Sequence, residues 1–200
     1  TQQSILLTGA TGYLGAHLLI DLLKHPEVTE VSVLVRATSK EHGLKRILEQ
    51  LRYYEPSQPM EELLRNTSLR IILGDFTQPN LGASSEDLMW LQTNVQALIH
   101  CGADVRHFGD AEHFKKTNID STAYLIDFAK QCTEIRFHYV STLGIQEDLA
   151  SEGKWDDFLT KDSILDAPDV ESLYTNSKLA SEKLLQQAHT EGLPVTIYRP

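Results

Sequence analysis

Short apolar runs alternate with longer amphipathic stretches along the whole chain. The runs are Ile5–Thr8, Val31–Val35, Leu69–Leu73, Ala97–Cys101, Phe137–Ser141 and Val195–Tyr198. Each predicts a strand covered on both faces of a parallel sheet. The stretches between them predict helices at Tyr13–Lys24, Lys40–Tyr53, Ser85–Gln92, Ala111–Gln131 and Leu173–Thr190. Strand followed by helix, repeated, predicts a doubly wound α/β sheet in one domain over residues 1–200. No internal repeat or low-complexity tract interrupts the pattern. Gln146–Glu171 does: it is a long acidic excursion that leads directly into the helix carrying Tyr174. It reads as a solvated surface loop, or as the border of an active-site mouth.

Composition narrows the function classes. The 200 residues suffice for one domain with a core, and a hydrophobic share of 41% with 23% charged is ordinary for a globular protein. The net charge of −10 argues against nucleic acid as a main partner, since phosphate binding calls for clustered Lys and Arg. No apolar run approaches the roughly 18–20 residues of a membrane-spanning helix. Thr1-Gln2-Gln3-Ser4 runs straight into a strand, a pattern without a signal peptide. Two cysteines, Cys101 and Cys132, build no disulfide framework and suit a reducing cytoplasm.

The first strand is followed by Gly9-Ala10-Thr11-Gly12-Tyr13-Leu14-Gly15 and then a helix. A glycine pattern alone is weak evidence, but here it sits between the first strand and the first helix, where a Rossmann-like phosphate loop needs it. Gly9 permits the tight turn, Gly12 the approach of a pyrophosphate, and Gly15 the packing of helix on strand. The helix N-terminus offers N–H groups and the positive end of its dipole to the anion.

The second strand ends in Val35-Arg36-Ala37 with no Asp or Glu at its tip. A carboxylate there would accept from the ribose 2′-OH of NAD; an Arg pairs instead with the 2′-phosphate of NADP. Arg46, one helix further on, adds a second charge or lies on a solvated helix face. After the third strand, Asp75 in Gly74-Asp75-Phe76 is a candidate acceptor for the adenine amino group, or a turn residue. After the fourth, Gly102 and Ala103 leave room for a dinucleotide, while His100 reads as a packed histidine and Cys101 as a small buried hydrophobe. His100, Cys101, His107 and His113 lack paired ligand spacing, so no metal site is expected.

Tyr174-Thr175-Asn176-Ser177-Lys178 places a phenol and an amine about one helical turn apart on one face. An ammonium beside a phenol favours phenolate, which lowers the Tyr174 pKa from about 10 and fits it for proton transfer. Val140-Ser141-Thr142 ends the fifth strand, where a hydroxyl can stabilise a developing oxyanion.

In this order the motifs resemble the extended short-chain dehydrogenase/reductases over nearly the whole chain. More narrowly, they resemble the thioester reductase domains of nonribosomal peptide synthetases and carboxylic acid reductases. Leu7–Leu19, Val35-Arg36-Ala37, Gly74-Asp75-Phe76, His100–Val105, Asn118-Ile119, Val140–Leu143 and Leu193–Pro200 carry the likeness. It implies Thr142, rather than Ser141, as catalytic together with Tyr174 and Lys178. The cofactor-binding set becomes Gly9, Thr11, Gly12, Tyr13, Leu14, Gly15, Arg36, Arg46, Asp75, Phe76, Gly102, Ala103 and Asn118, with Tyr174 and Lys178 also touching the cofactor. Leu173 departs from the pattern, because these reductases usually place Gly before the Tyr.

The resemblance implies NADPH as cofactor and a phosphopantetheinylated acyl or peptidyl carrier protein as partner. The expected reaction is reductive release of its thioester as an aldehyde, with a further step to the alcohol left open. Extended members also carry a C-terminal substrate subdomain, which this sequence is expected to lack. Two other readings are an NAD-dependent sugar-nucleotide epimerase or dehydratase on the same fold, and a non-catalytic NADP-sensing module. Arg36 weighs against the first, and the retained Tyr174 and Lys178 against the second.

Overall fold

The computed structural model describes residues 3–103, 111–142 and 173–200. The acidic excursion Gln146–Glu171 lies outside these, as do Asp104, Val105, His107 and Leu143. Six parallel strands form one sheet in the order β3-β2-β1-β4-β5-β6. They are β1 (Gln3–Thr8), β2 (Val28–Val35), β3 (Ser68–Leu73), β4 (Ala97–His100), β5 (Arg136–Val140) and β6 (Val195–Tyr198). This is the Rossmann arrangement, and its strand order reverses between β1 and β4, where such sheets open a crevice at the carboxyl ends.

Alternating side chains of the strands feed two cores. Leu6, Leu98, Phe137 and Tyr139 face one way and pack with α6 (Ser121–Gln131) and α7 (Leu173–Thr190). Leu7, Val31, Val33 and Ala97 face the other way. They pack with α1 (Tyr13–Lys24), α2 (Lys40–Tyr54) and the short α3 (Met60–Leu63). Ile5–Leu7 of β1 and Ala97–Ile99 of β4 therefore read as continuous apolar runs, whereas β6 alternates half-buried and exposed positions. Helices α2 and α4 (Ser85–Asn94) start on Ser39 and Ser84, whose hydroxyls accept from the N–H groups of His42 and Asp87.

Two features depart from the expected pattern. The stretch Ala111–Gln131 is not a uniform α-helix: α5 (Ala111–Phe114) widens into a π-turn at Lys115–Asp120 before α6 begins. Hydroxyls compete with the main-chain ladder there. Thr122 Oγ1 and Ser181 Oγ both donate to the carbonyl of Asn118, at 2.7 and 2.8 Å. After β3, a tight turn at Pro79–Gly82 holds Asn80 and Leu81 in the left-handed region, with φ of 53° and 59°. Leu81 is fully buried, and its carbonyl accepts from the N–H of Asp75 at 2.7 Å. Core burial of one leucine and one backbone bond thus hold a conformation that costs roughly 1–3 kcal/mol per residue.

Candidate active site

The glycine loop folds as its spacing requires. Gly9 has φ of +78°, and a Cβ there would stand 2.6 Å from the backbone nitrogen of Gly102, so the ends of β1 and β4 meet at this glycine. A Cβ on Gly15 would run into the carbonyl oxygen of Gly9, which is how closely α1 approaches the loop. Gly12 donates its N–H to Gly9 at 3.0 Å and starts α1 with no side-chain cap. No acidic residue lies in the first turn of α1, whereas α2 carries Glu41 there and α4 carries Glu86 and Asp87. The N-terminus of α1 keeps its partial positive charge facing the crevice. Gln50 of α2 braces the loop by donating to the carbonyl of Thr11 at 2.6 Å.

A cleft of about 180 Å³ opens beside this loop. Gly9, Thr11, Gly12, Arg36, Arg46, Asp75, Phe76, Gly102 and Ala103 all line it. Arg46 Nη1 donates to the carbonyl of Arg36 at 2.5 Å, so one guanidinium is tied to the backbone beside the other. Asp75 is engaged as a turn residue: its Oδ1 accepts from both the N–H and the hydroxyl of Thr77, at 2.9 and 2.7 Å. The Phe76 ring lies edge-on to His100, with centroids 5.3 Å apart.

Other sequence-expected cofactor residues lie elsewhere. Gly15 is buried behind the loop. Tyr13 is exposed and packs edge-on against His17 and Tyr54. Leu14 faces a separate apolar groove of about 810 Å³. Asn118 is 1% exposed and donates its amide to Ser177 Oγ at 2.8 Å, joining the π-turn to α7 rather than lining the cleft.

At the carboxyl ends of β4 and β5 the second constellation assembles. The side chains of Tyr174 and Thr142 are hydrogen-bonded to each other. Lys178 is 3% exposed, donates to the carbonyl of Val140 at 2.8 Å and lies over the Tyr139 ring, 4.7 Å from its centroid. Burial pulls the Lys178 pKa down to about 8, against smaller opposing effects of Cys101 and Glu182. Burial raises the Tyr174 pKa above the usual phenol value, with the Thr142 hydrogen bond acting the other way. The structure thus corrects the expected electrostatics. The Lys178 ammonium is turned onto Val140 and Tyr139, and the phenol keeps its proton because it is half-buried. Ser141 Oγ is buried without a hydrogen-bond partner among the described residues, so Thr142 is the hydroxyl of this run that meets Tyr174.

His100 is a packed residue, as its place in the sequence suggested. It is 1% exposed and its Nδ1 lies 2.6 Å from Thr8 Oγ1. Burial, and then the charge of Lys178, bring its pKa down to about 3. Cys101 lines the cleft, and burial pushes its thiol up to about 12, so it is inert as a nucleophile. Among the described residues no cluster of His, Cys, Asp and Glu could hold a metal ion, and no helix is long and apolar enough to cross a membrane.

A family profile described as "Male sterility protein", an NAD-binding family, matches residues 7–200. The chain belongs to this NAD-binding family. The chain is 33% identical over 201 residues to a linear gramicidin synthase polypeptide of Brevibacillus parabrevis. That match covers 98% of this chain and 4% of the synthase polypeptide. Among solved structures it resembles the terminal R domain from the myxalamid PKS-NRPS biosynthetic pathway. The TM-score is 0.83 at 31% identity, covering 100% of this chain and 49% of that one. The reductase (R) domain of a nonribosomal peptide synthetase from Mycobacterium tuberculosis matches with a TM-score of 0.76 at 29% identity, over 100% of this chain and 48% of that one. The chain therefore spans about half the length of these reductase domains. Family membership accounts for the glycine cradle and the uncapped α1: the cleft is built for a nicotinamide dinucleotide.

Proposed function

We propose that this domain uses NADPH to reduce the thioester of an acyl or peptidyl chain carried on a phosphopantetheine arm, releasing an aldehyde. The observation that carries the reading is the hydrogen-bonded Tyr174–Thr142 pair beside a buried Lys178, at the sheet edge next to the glycine cleft. NADPH, when bound, supplies the hydride. The residues that would hold it are Gly9, Thr11 and Gly12 at its pyrophosphate and Arg36, with Arg46 behind it, at its 2′-phosphate. Lys178 would hold its ribose.

Tyr174 and Thr142 donate hydrogen bonds to the substrate oxygen, which gains negative charge as the carbonyl is reduced. A phenol whose proton is held firmly by burial is a donor at neutral pH, which suits stabilising an oxyanion rather than removing a proton. Lys178, with a pKa near 8, carries its charge at pH 7 on the Val140 carbonyl and the Tyr139 ring, so it contributes to the field of the site without pairing with the phenol. Collapse of the reduced thioester then expels the phosphopantetheine thiol.

The reductase domains named above support this substrate class, and the Arg36–Arg46 pair at the end of β2 supports NADPH over NADH. The test is oxidation of NADPH and of NADH in the presence of a carrier-bound acyl thioester, a free aldehyde or a sugar nucleotide. Aldehyde formed from the thioester with NADPH supports the reading. Turnover of the sugar nucleotide alone, or of none of the three, overturns it.

A further inference from the structure

Glu182 is fully buried, one helical turn beyond Lys178 on α7. Arg199, the first residue past β6, meets it with a forked contact: Nε lies 3.0 and 3.2 Å from the two carboxylate oxygens and Nη2 2.6 Å from Oε2. The pair ties the end of the edge strand β6 to the helix that carries Tyr174 and Lys178. Buried carboxylates are retained only with a partner, and the planar fork of Arg matches carboxylate geometry. Tyr174, Lys178 and Glu182 recur every fourth residue, so all three lie on one face of α7.

We propose that the Glu182–Arg199 pair is a positioning device for Lys178: it holds α7 against β6 and sets the charge that Lys178 experiences from behind. The proposal rests on the reading of Tyr174 and Lys178 as the working pair. Among the described residues, the titratable groups around Lys178 are His100 and Cys101 from the end of β4, Tyr139 from β5, and Tyr174 and Glu182 from α7 itself. Of these, only Glu182 is a carboxylate, and the Arg199 guanidinium faces it. Removing Arg199 exposes Lys178 to an uncompensated carboxylate one turn away. Removing Glu182 instead leaves a guanidinium facing an ammonium across the same gap.

The experiment is a pH titration of Lys178 followed by NMR of the lysine ¹³Cε resonances. The Lys178 signal is assigned by its loss in Lys178→Met. In the wild type it should titrate below the other lysines. Arg199→Met should move its midpoint up and Glu182→Gln should move it down, each by about one to three units. The double variant should fall between them. Should Arg199→Met fail to fold, Glu182→Gln and the double variant still test the order. Identical midpoints in all folded variants would overturn the proposal, leaving the pair a structural tie only. Turnover of Tyr174→Phe and Lys178→Met, measured alongside, tests the underlying reading separately. If those variants turn over normally, the active-site assignment fails whatever the titrations show.

Discussion

On the proposed reading of NADPH as cofactor, replacing Arg36 by Ala should weaken NADPH binding while leaving the affinity for NADH nearly unchanged. Arg36 follows β2 immediately, is exposed at the rim of the cleft, and has its carbonyl fixed by Arg46 Nη1 at 2.5 Å. No carboxylate stands at that strand end to receive a ribose hydroxyl. The side chain deleted is thus the one placed to meet a 2′-phosphate, and hydrogen bonds to charged groups contribute roughly 1.5–3 kcal/mol each. At about 1.4 kcal/mol per decade, that is a ten- to hundred-fold rise in Kd for NADPH. The contact is open to solvent, so the difference should shrink as ionic strength rises toward 1 M, where the Debye length is about 3 Å. Arg46→Ala removes the strut and one charge together, so it should weaken NADPH less selectively. Titrating both cofactors against wild type and the two variants at 0.1 M and 1 M salt measures each effect. Equal affinity of the wild type for the two cofactors, or an Arg36→Ala loss of the same size for both, would refute the reasoning.

Tyr174→Phe should abolish most turnover with the NADPH Kd unchanged, and Thr142→Val should do less damage because it removes one of two donors; steady-state rates and cofactor titration separate the two effects. Gly9→Ala places a side chain at φ of +78° and 2.6 Å from a backbone nitrogen, so it should lower unfolding stability by more than about 1–2 kcal/mol in urea denaturation and weaken dinucleotide binding. His100 gives an acid dependence. An unfolded histidine takes up its proton near pH 6.5, whereas the folded one waits until about 3, so stability is full above 6.5 and falls as the pH drops through that window. The slope from this group is at most about 1.4 kcal/mol per pH unit; unfolding curves at pH 7, 6 and 5 should be steeper in pH for wild type than for His100→Gln, and parallel behaviour would exclude His100 as the cause.

Strands were legible in the sequence because a strand covered on both faces needs a mostly apolar run, and β1 through β4 supply one each, interrupted only by Ser32 in Val31–Val35 and Arg70 in Leu69–Leu73. The glycine loop was legible because its residues act through backbone geometry, which spacing encodes directly. Other features depend on partners far along the chain. Nothing around Asn118 announces a π-turn until Ser181, on α7, donates to its carbonyl. Nothing around Leu81 announces a left-handed residue until the core closes over it. The direction of Lys178 could not be read either, since the Y-x-x-x-K spacing shows only a shared helix face, and Val140 and Tyr139 decide where the ammonium points. Glu182 did carry a readable signal: a carboxylate at the next step of the Tyr174–Lys178 stripe, on a face that must be buried, demands a cation from elsewhere.

The distribution of buried polarity explains how the fold supports this site. The buried polar side chains of β1 to β3 are Thr8 and Ser32, whereas Asn118, Thr122, Ser177, Lys178, Ser181 and Glu182 are all buried where α7 meets the π-turn and β5. Each such group costs free energy unless satisfied, and the bonds from Asn118 to Ser177, Ser181 to Asn118, Lys178 to Val140 and Arg199 to Glu182 provide that satisfaction with defined directions. An apolar α7 would pack as well or better, but it could rotate or slide by a fraction of a turn without losing much. Directional bonds remove that freedom. They hold Tyr174 and Lys178, one helical turn apart, against the fixed end of β5, while the glycine loop stands at the fixed end of β1. The sheet itself sets the distance between the two, so the polar belt under α7 converts the rigidity of the strands into a defined position for the phenol and the amine.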